Sequence, residues 1–244
     1  MSQNIFESMG KKQAFVFGIV GGVLVLCTIG FFIMVGMMAS GSTAADNTTI
    51  KAEEGPKKFS QCLDSGETAS IVKADAAIGA SLGVQGTPGS FINGYMVSGA
   101  YPFEAIKELV DAALEDRTPN WDTERYGELE KVDMPEDIDS YDWVGNKNAK
   151  VSIVEFSDFE CPYCSRYAAT IHQVLDTYGD DVKYSYKHFT LSFHQNAQKA
   201  AEAFECAREQ GKWLEMHDKL FELAESGTLS VANYKKAASE IGLK

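Results

Sequence analysis

The stretch of sequence that decides the fold is EFSDFECPYCSRYAATIHQVL, from Glu155 to Leu175. The apolar run that leads into it begins at Ala149 and predicts a buried strand. A helix is predicted from the two cysteines to about Tyr178. The sequence therefore places a C-x-x-C motif where a strand ends and a helix begins.

That position suits a redox pair. At the start of a helix, unpaired backbone N–H groups and the positive helix end stabilise a thiolate at the first sulfur, that of Cys161. Cys164 follows one helical turn later, within reach to form a disulfide or to resolve a mixed one. We therefore predict Cys161 as the attacking nucleophile and Cys164 as the more buried resolving thiol.

Two other interpretations of the cysteines are weaker. A structural metal needs two more ligands at a characteristic spacing, but no second C-x-x-C occurs, and His188 and His194 lack the spacing of a zinc site. A purely structural disulfide across so short a loop would remove little chain entropy. We therefore predict no metal and no cofactor beyond the Cys161–Cys164 pair.

The N-terminal region predicts a membrane anchor. Residues 14–38 form a run of 25 residues without a charged side chain, which as a helix spans roughly 37 Å. Lys11 and Lys12 precede it, so residues 1–13 are expected in the cytoplasm and the rest outside, beyond a flexible stalk at 39–56. A cleaved signal peptide is the alternative, but its apolar region would have only about 7–15 residues. The sequence thus predicts a single-pass protein of the inner membrane with an extracytoplasmic domain.

The charge distribution argues against some partners. The formal net charge of −13 disfavours nucleic acid and anionic lipid surfaces. Residues 115–142 hold eleven acidic and three basic residues, a net −8. We therefore predict residues 115–143 as a solvated acidic connector between two globular segments.

The two globular segments lie at 57–114 and 144–244. The first predicts short helices, a β-hairpin that turns at Asn93-Gly94, and an amphipathic helix opened by Pro102. The second predicts two strands and several helices. Both segments together indicate the α/β class.

Several stretches resemble DsbA-like thiol–disulfide oxidoreductases, a branch of the thioredoxin superfamily. VSIVEFSDFECPYCSRYA, residues 151–168, is similar to the family's active-site strand and helix. KHFTLSFHQNAQKAAEAFECAREQGKWLEMHDKLF, residues 187–221, is similar to its helical insertion. FSQCLDSG and GVQGTPGSFINGYMVSGAYPFEAIKELV, residues 59–66 and 83–110, resemble its C-terminal half. The resemblance implies a thioredoxin-like fold with a helical insertion.

The order of the halves differs from that family. There the strand with the cysteines comes first and the Thr-Pro hairpin last, whereas here the hairpin half precedes the cysteine half. The resemblance therefore implies a circular permutation. Three arrangements stay open: closure within one chain through the connector, a half-swapped dimer, and a truncated tandem protein.

The resemblance also implies roles for residues outside the C-x-x-C motif. The peptide before Pro88 is expected to be cis, with Thr87 and Pro88 facing Cys161 and their backbone pairing with an extended substrate. Cys62 and Cys206 are expected to form the second disulfide that some relatives carry. Free buried thiols are the alternative, although an extracytoplasmic location favours the disulfide.

Glu155 is a candidate proton relay. It lies in an otherwise apolar strand, so a buried carboxylate beneath Cys164 could exchange the proton of the resolving thiol, paired with Lys187. A glutamate that reaches solvent at the strand end is the alternative.

The function implied by the resemblance is oxidation of exported cysteine-containing proteins. Re-oxidation by a quinone-linked membrane protein of DsbB type, or a related one, is implied as well. A reductase or isomerase role stays open, because the direction depends on the reduction potential. The alternative from another class is a thioredoxin-like module that binds a metal or acts as a holdase.

Overall fold

A five-stranded mixed sheet forms the centre of the computed structural model, which describes residues 58–135 and 141–244. The strands are β1 (Gly89–Ile92), β2 (Tyr95–Ser98), β3 (Val144–Gly145), β4 (Val151–Ser157) and β5 (Val182–His188). Their spatial order is β2-β1-β4-β5-β3. Strands β4 and β5 are parallel, and the other neighbouring pairs are antiparallel.

Helices cover both faces of this sheet. They are α1 (Phe59–Ser65), α2 (Ala69–Ser81), α3 (Phe103–Leu114), α4 (Thr123–Tyr126), α5 (Pro162–Tyr178), α6 (Ala197–Arg208), α7 (Trp213–Glu225) and α8 (Val231–Glu240). Within the residues that the structure describes, no helix combines the length and apolarity needed to cross a membrane. The predicted span at 14–38, its flanking segments at 1–13 and 39–56, and residues 136–140 lie outside the described residues.

The hairpin forms as predicted. Asn93 and Gly94 have φ angles of 44° and 86°, which are the positive values of a type I′ turn. Strand β1 then pairs antiparallel with β4, and Phe91 lies opposite Val154. The hairpin half and the cysteine half therefore share one sheet within a single chain.

The sheet divides the core into two parts. On one face, Ile153 and Tyr184 pack in the larger cluster, which includes side chains of α3, α5 and α6. On the other face, Val154 and Phe156 form a smaller cluster beside α2. Helix α2 approaches closely at Gly79, where a Cβ atom would lie 2.7 Å from the Phe156 ring.

The acidic connector is partly ordered against the domain, which its charge did not indicate. The rings of Trp121 and Tyr126 pack with Tyr101, with centroids 5.0 to 5.8 Å apart. Further along, the N–H of Met96 donates to the carbonyl of Glu130 at 2.8 Å. This part of the connector covers the outer edge of β2, which limits pairing with other chains.

A disulfide joins the two halves. Cys62 of α1 and Cys206 of α6 are bonded, are both buried, and lie 144 residues apart in the sequence. Close by, the N–H of Phe59 donates to the carbonyl of Lys244. The cross-link therefore holds α1, from the beginning of the described region, against the helices of the cysteine half.

We expect the variant Cys62→Ser/Cys206→Ser to have a free energy of unfolding about 2–5 kcal/mol lower than the wild type, because the cross-link closes a long loop in the unfolded chain. Urea denaturation measures this difference. Each single variant loses the same cross-link and should resemble the double variant. A loss below about 1 kcal/mol would show that the bond contributes little to the stability of the domain.

Candidate active site

Cys161 lies at the N-cap of α5, and Pro162 begins the helix. The local chain is fixed by backbone hydrogen bonds, in which the N–H of Cys161 donates to the carbonyl of Asp158 and that of Cys164 donates to the carbonyl of Cys161, both at 3.0 Å. Both cysteines are free thiols. Cys161 is 4% exposed and Cys164 is fully buried, so Cys161 is the more accessible sulfur.

The loop before β1 meets this sulfur. The Thr87-Pro88 peptide is cis, as the sequence predicts. In its thiol form, Cys161 donates its S–H to the carbonyl of Thr87 at 3.5 Å, although the two residues are 74 positions apart. The pairing of β1 with β4 therefore brings the hairpin half to the cysteine motif.

The surroundings separate the acidities of the two thiols. A hydrogen bond from Cys164 is the largest influence on Cys161. Together with hydrogen bonds from the backbone N–H groups of Cys164 and Tyr163, it lowers the pKa of Cys161 to about 5 against the effect of burial. Burial, together with its hydrogen bond to Cys161, raises the pKa of Cys164 well above its usual value. At neutral pH the pair holds its negative charge on Cys161.

Glu155 is fully buried in β4, on the face that carries the larger core cluster. The hydroxyl of Tyr184 donates to Glu155 Oε2 at 2.9 Å. Burial raises the pKa of Glu155 to about 7, and the charge of Glu155 in turn raises the pKa of Cys164. A carboxyl group that titrates near neutrality therefore interacts with the resolving thiol.

The predicted pairing of Glu155 with Lys187 is wrong. In the parallel register of β4 and β5, Glu155 lies opposite Tyr186, whereas Lys187 lies opposite Phe156 and thus on the other face of the sheet. There the Lys187 Nζ lies 3.2 Å from a carboxylate oxygen of Asp75. Lys187 therefore takes no part in the chemistry beneath Cys164.

Asp75 and Tyr184 were missed in the sequence. Asp75 of α2 is buried and also accepts the backbone N–H of His188 at 3.2 Å. The feature of the sequence that could have identified Asp75 is that it is the single carboxylate in α2, a helix that covers the sheet. Tyr184 shares the period-two alternation of β5 with Tyr186, which places both on the face of Glu155.

The histidines are held by carboxylates. His188 Nε2 lies 2.8 Å from Glu205, and His194 Nδ1 lies 2.9 Å from Asp158. Three clusters of acidic, histidine or cysteine side chains lie close together within residues 58–135 and 141–244, and none of them contains Cys161 or Cys164. One of the three includes Cys62, whose sulfur is already used in the disulfide. The arrangement around the C-x-x-C motif is therefore that of a thiol pair.

Comparison with known proteins identifies the family. A family model described as Thioredoxin matches residues 31–112 and 139–241, roughly three quarters of the chain. The chain belongs to the thioredoxin family. This membership agrees with a mixed α/β sheet flanked by helices, and it suggests a thiol–disulfide oxidoreductase in general. Thioredoxin-like oxidoreductases need no cofactor, because the cysteine pair carries the electrons.

Shorter parts of the chain are similar to named bacterial proteins. A stretch of 111 residues, 45% of this chain, is 40% identical to Na(+)/H(+) antiporter NhaA 3 of Salinispora tropica and covers 17% of that protein. A stretch of 78 residues, 32% of this chain, is 44% identical to Na(+)/H(+) antiporter NhaA 1 of Mycolicibacterium gilvum and covers 13% of it. This thioredoxin-family chain thus spans a small part of the length of these curated relatives.

We expect alkylation of the reduced protein at Cys161 to reach half of its maximal rate near pH 5, since the thiolate is the reacting form. Cys164→Ala should move this midpoint upward, because the largest influence on the Cys161 thiolate is lost. Iodoacetamide labelling followed by mass spectrometry of the peptide that contains Cys161 measures both. A wild-type midpoint near 8.5, the usual value for cysteine, would contradict the assigned electrostatics.

We expect Glu155 to make folding stability depend on pH. Its pKa is about 7 in the folded protein and about 4.5 in the unfolded chain, so the stability present below pH 4.5 is lost as the pH rises through 7. The full loss is about 3 kcal/mol. Glu155→Gln should therefore match the wild type at pH 4 and exceed its free energy of unfolding at pH 8.

Urea denaturation of both proteins across this pH range measures that difference, and Glu124→Gln, a change at an exposed residue, serves as the control. Equal slopes for Glu155→Gln and the wild type between pH 4 and 8 would show that Glu155 does not titrate in this window.

Proposed function

We propose that this chain is a membrane-anchored thiol–disulfide oxidoreductase of DsbA type that forms disulfides in exported proteins. The observation that carries the proposal is the Cys161 sulfur, which lies at the start of a helix beside Thr87, with its pKa lowered to about 5. A stable thiolate favours the reduced form of the pair, so the disulfide form is a strong oxidant.

In the proposed reaction, a substrate thiolate attacks Sγ of Cys161 in the oxidised protein. The Cys161–Cys164 bond breaks, a mixed disulfide forms, and the Cys164 sulfur leaves with the electron pair and takes up a proton. The second substrate thiolate then attacks the substrate sulfur of the mixed disulfide, and Cys161 leaves as a thiolate. Two electrons pass from the substrate, which gains a disulfide, to the protein, which becomes the dithiol.

We propose that Glu155 exchanges the proton of Cys164. Its carboxyl titrates near pH 7 and its charge affects the pKa of Cys164. Tyr184 holds one oxygen of this carboxyl by a hydrogen bond at 2.9 Å. We propose that Glu155 supplies the proton when Cys164 leaves and accepts it when the pair is re-oxidised.

The backbone around Thr87 and Pro88 is proposed to bind the substrate chain. An extended segment that reaches Cys161 must pass this loop, because the Thr87 carbonyl lies 3.5 Å from the sulfur. Pairing of a short substrate strand with the loop would be largely independent of substrate sequence, since it uses main-chain hydrogen bonds.

We propose that the order of the halves is a circular permutation closed within one chain. Three contacts support this: the antiparallel pairing of β1 with β4, the Cys62–Cys206 disulfide, and the hydrogen bond from the Phe59 N–H to the Lys244 carbonyl. A half-swapped dimer would satisfy the same pairings between two chains.

The proposed location rests on the sequence, and the proposed partners rest on the family resemblance. The uncharged run at 14–38 supports an anchor in the inner membrane with the catalytic domain outside. Exported proteins with cysteine pairs are the proposed substrates. A quinone-linked membrane protein of DsbB type, or a related one, is the proposed oxidant that restores the Cys161–Cys164 disulfide.

The test is oxidation of a reduced peptide with two cysteines by the oxidised full chain. We expect one peptide disulfide per protein disulfide consumed, loss of the reaction in Cys161→Ser, and accumulation of a mixed disulfide on Cys161 in Cys164→Ala. The matched control Cys62→Ser/Cys206→Ser removes the other cysteine pair and should retain the reaction. A Cys161→Ser variant as active as the wild type would refute the proposed function.

A further inference from the structure

A groove of about 450 Å³ lies next to the loop that meets Cys161. Thr87, Pro88 and Met96 form part of its lining. The opposite lining includes Glu128 and Glu130, which belong to the acidic connector and not to the cysteine half of the domain. Since the Thr87 carbonyl contacts the Cys161 sulfur, a chain attached to that sulfur reaches this groove within a few residues.

The backbone that carries these two carboxylates is bonded to the edge of the sheet. The carbonyl of Glu130 accepts the N–H of Met96 at 2.8 Å, and the N–H of Val132 donates to the carbonyl of Gly94 at 2.9 Å. Between the two glutamates, Leu129 packs against the larger core cluster. Glu128 and Glu130 therefore lie along a segment that is bonded to the edge of the sheet, on the side of the groove.

No ion pair neutralises Glu128 or Glu130 within the described part of the chain. Both side chains are exposed, and neither forms an ion pair with any residue that the structure describes. The adjacent Lys131 forms no ion pair with either glutamate, and its ammonium lies 4.9 Å from the centroid of the Tyr95 ring. The groove next to Thr87 thus presents two negative charges to whatever chain enters it.

The groove on the other side of Cys161 has a different character. It has a volume of about 470 Å³, and its lining includes Arg166. One of its carboxylates, that of Glu225, accepts a hydrogen bond from Ser165 at 2.6 Å, and another, that of Glu160, accepts one from the backbone of Asn196 at 2.5 Å. The lining of this second groove thus combines two carboxylates with one guanidinium, whereas the lining of the groove beside Thr87 has two carboxylates and no basic side chain.

We propose that Glu128 and Glu130 select substrate chains that carry lysine or arginine within a few residues of the reacting cysteine. This inference rests on the proposed function and specifies its substrate class as basic cysteine-containing polypeptides. Opposite charges at the rim of a binding groove raise the association rate, and salt screens them. We expect about a fivefold preference for a basic over an acidic substrate at low salt.

The test compares two dithiol peptides that differ only in a lysine or a glutamate two residues from the first cysteine. The rate constant for their oxidation by the oxidised full chain is measured in low and high NaCl. The variant Glu128→Gln/Glu130→Gln is compared with Glu124→Gln/Asp133→Asn, which removes two exposed charges of the same connector outside the groove. An uncharged small dithiol reports the intrinsic reactivity of each variant.

We expect the lysine peptide to react with the wild type about five times faster than the glutamate peptide, and this preference to shrink in high salt. Glu128→Gln/Glu130→Gln should lose the preference, whereas Glu124→Gln/Asp133→Asn should keep it. Equal rates for the two peptides, or an unchanged preference in the groove variant, would overturn the inference and leave the proposed function intact. No oxidation of either peptide or of the small dithiol would overturn the proposed function, and this inference with it.

Discussion

The antiparallel pairing of β1 with β4 is the constraint on which the site depends. Without it, Thr87 would lie on a separate half of the molecule, and the Cys161 sulfur would lose the carbonyl 3.5 Å away. Neither half has a complete sheet of its own, since β1 and β2 need β4 to bury both faces. Folding of the domain and assembly of the thiol site are therefore one event.

The two faces of the sheet carry different buried ionisable groups. Glu155 lies on the face of Cys164, where burial keeps its carboxyl titratable near neutrality. Lys187 lies on the opposite face and is neutralised by Asp75 of the hairpin half. This separation matters for chemistry, because an ammonium group beside Glu155 would keep it ionised and unable to donate a proton.

The local elements could be predicted from residue preferences, and the family resemblance implied both the Cys62–Cys206 bond and the contact of Thr87 with Cys161. The register of the strands and the order in the connector could not be predicted. The Asn93-Gly94 turn and the helix after Cys161 follow from strong local preferences. The partner of Lys187 depends on the register between β4 and β5, and a shift by one residue exchanges the faces. The order in the connector depends on the packing of a few aromatic side chains, such as Trp121, within a strongly charged segment. The composition of that segment does not reveal such packing, and β3 is too short to be recognised from its sequence.

The most direct measurement is the reduction potential of the Cys161–Cys164 pair, obtained by equilibrating the protein in glutathione buffers with the Cys62–Cys206 bond intact. Stabilisation of a thiolate at the tip of α5 should give a value well above the thioredoxin value of about −270 mV, near the range of strong oxidants. A value at or below about −270 mV would contradict the account, because the thiolate would then contribute too little to make the disulfide an oxidant.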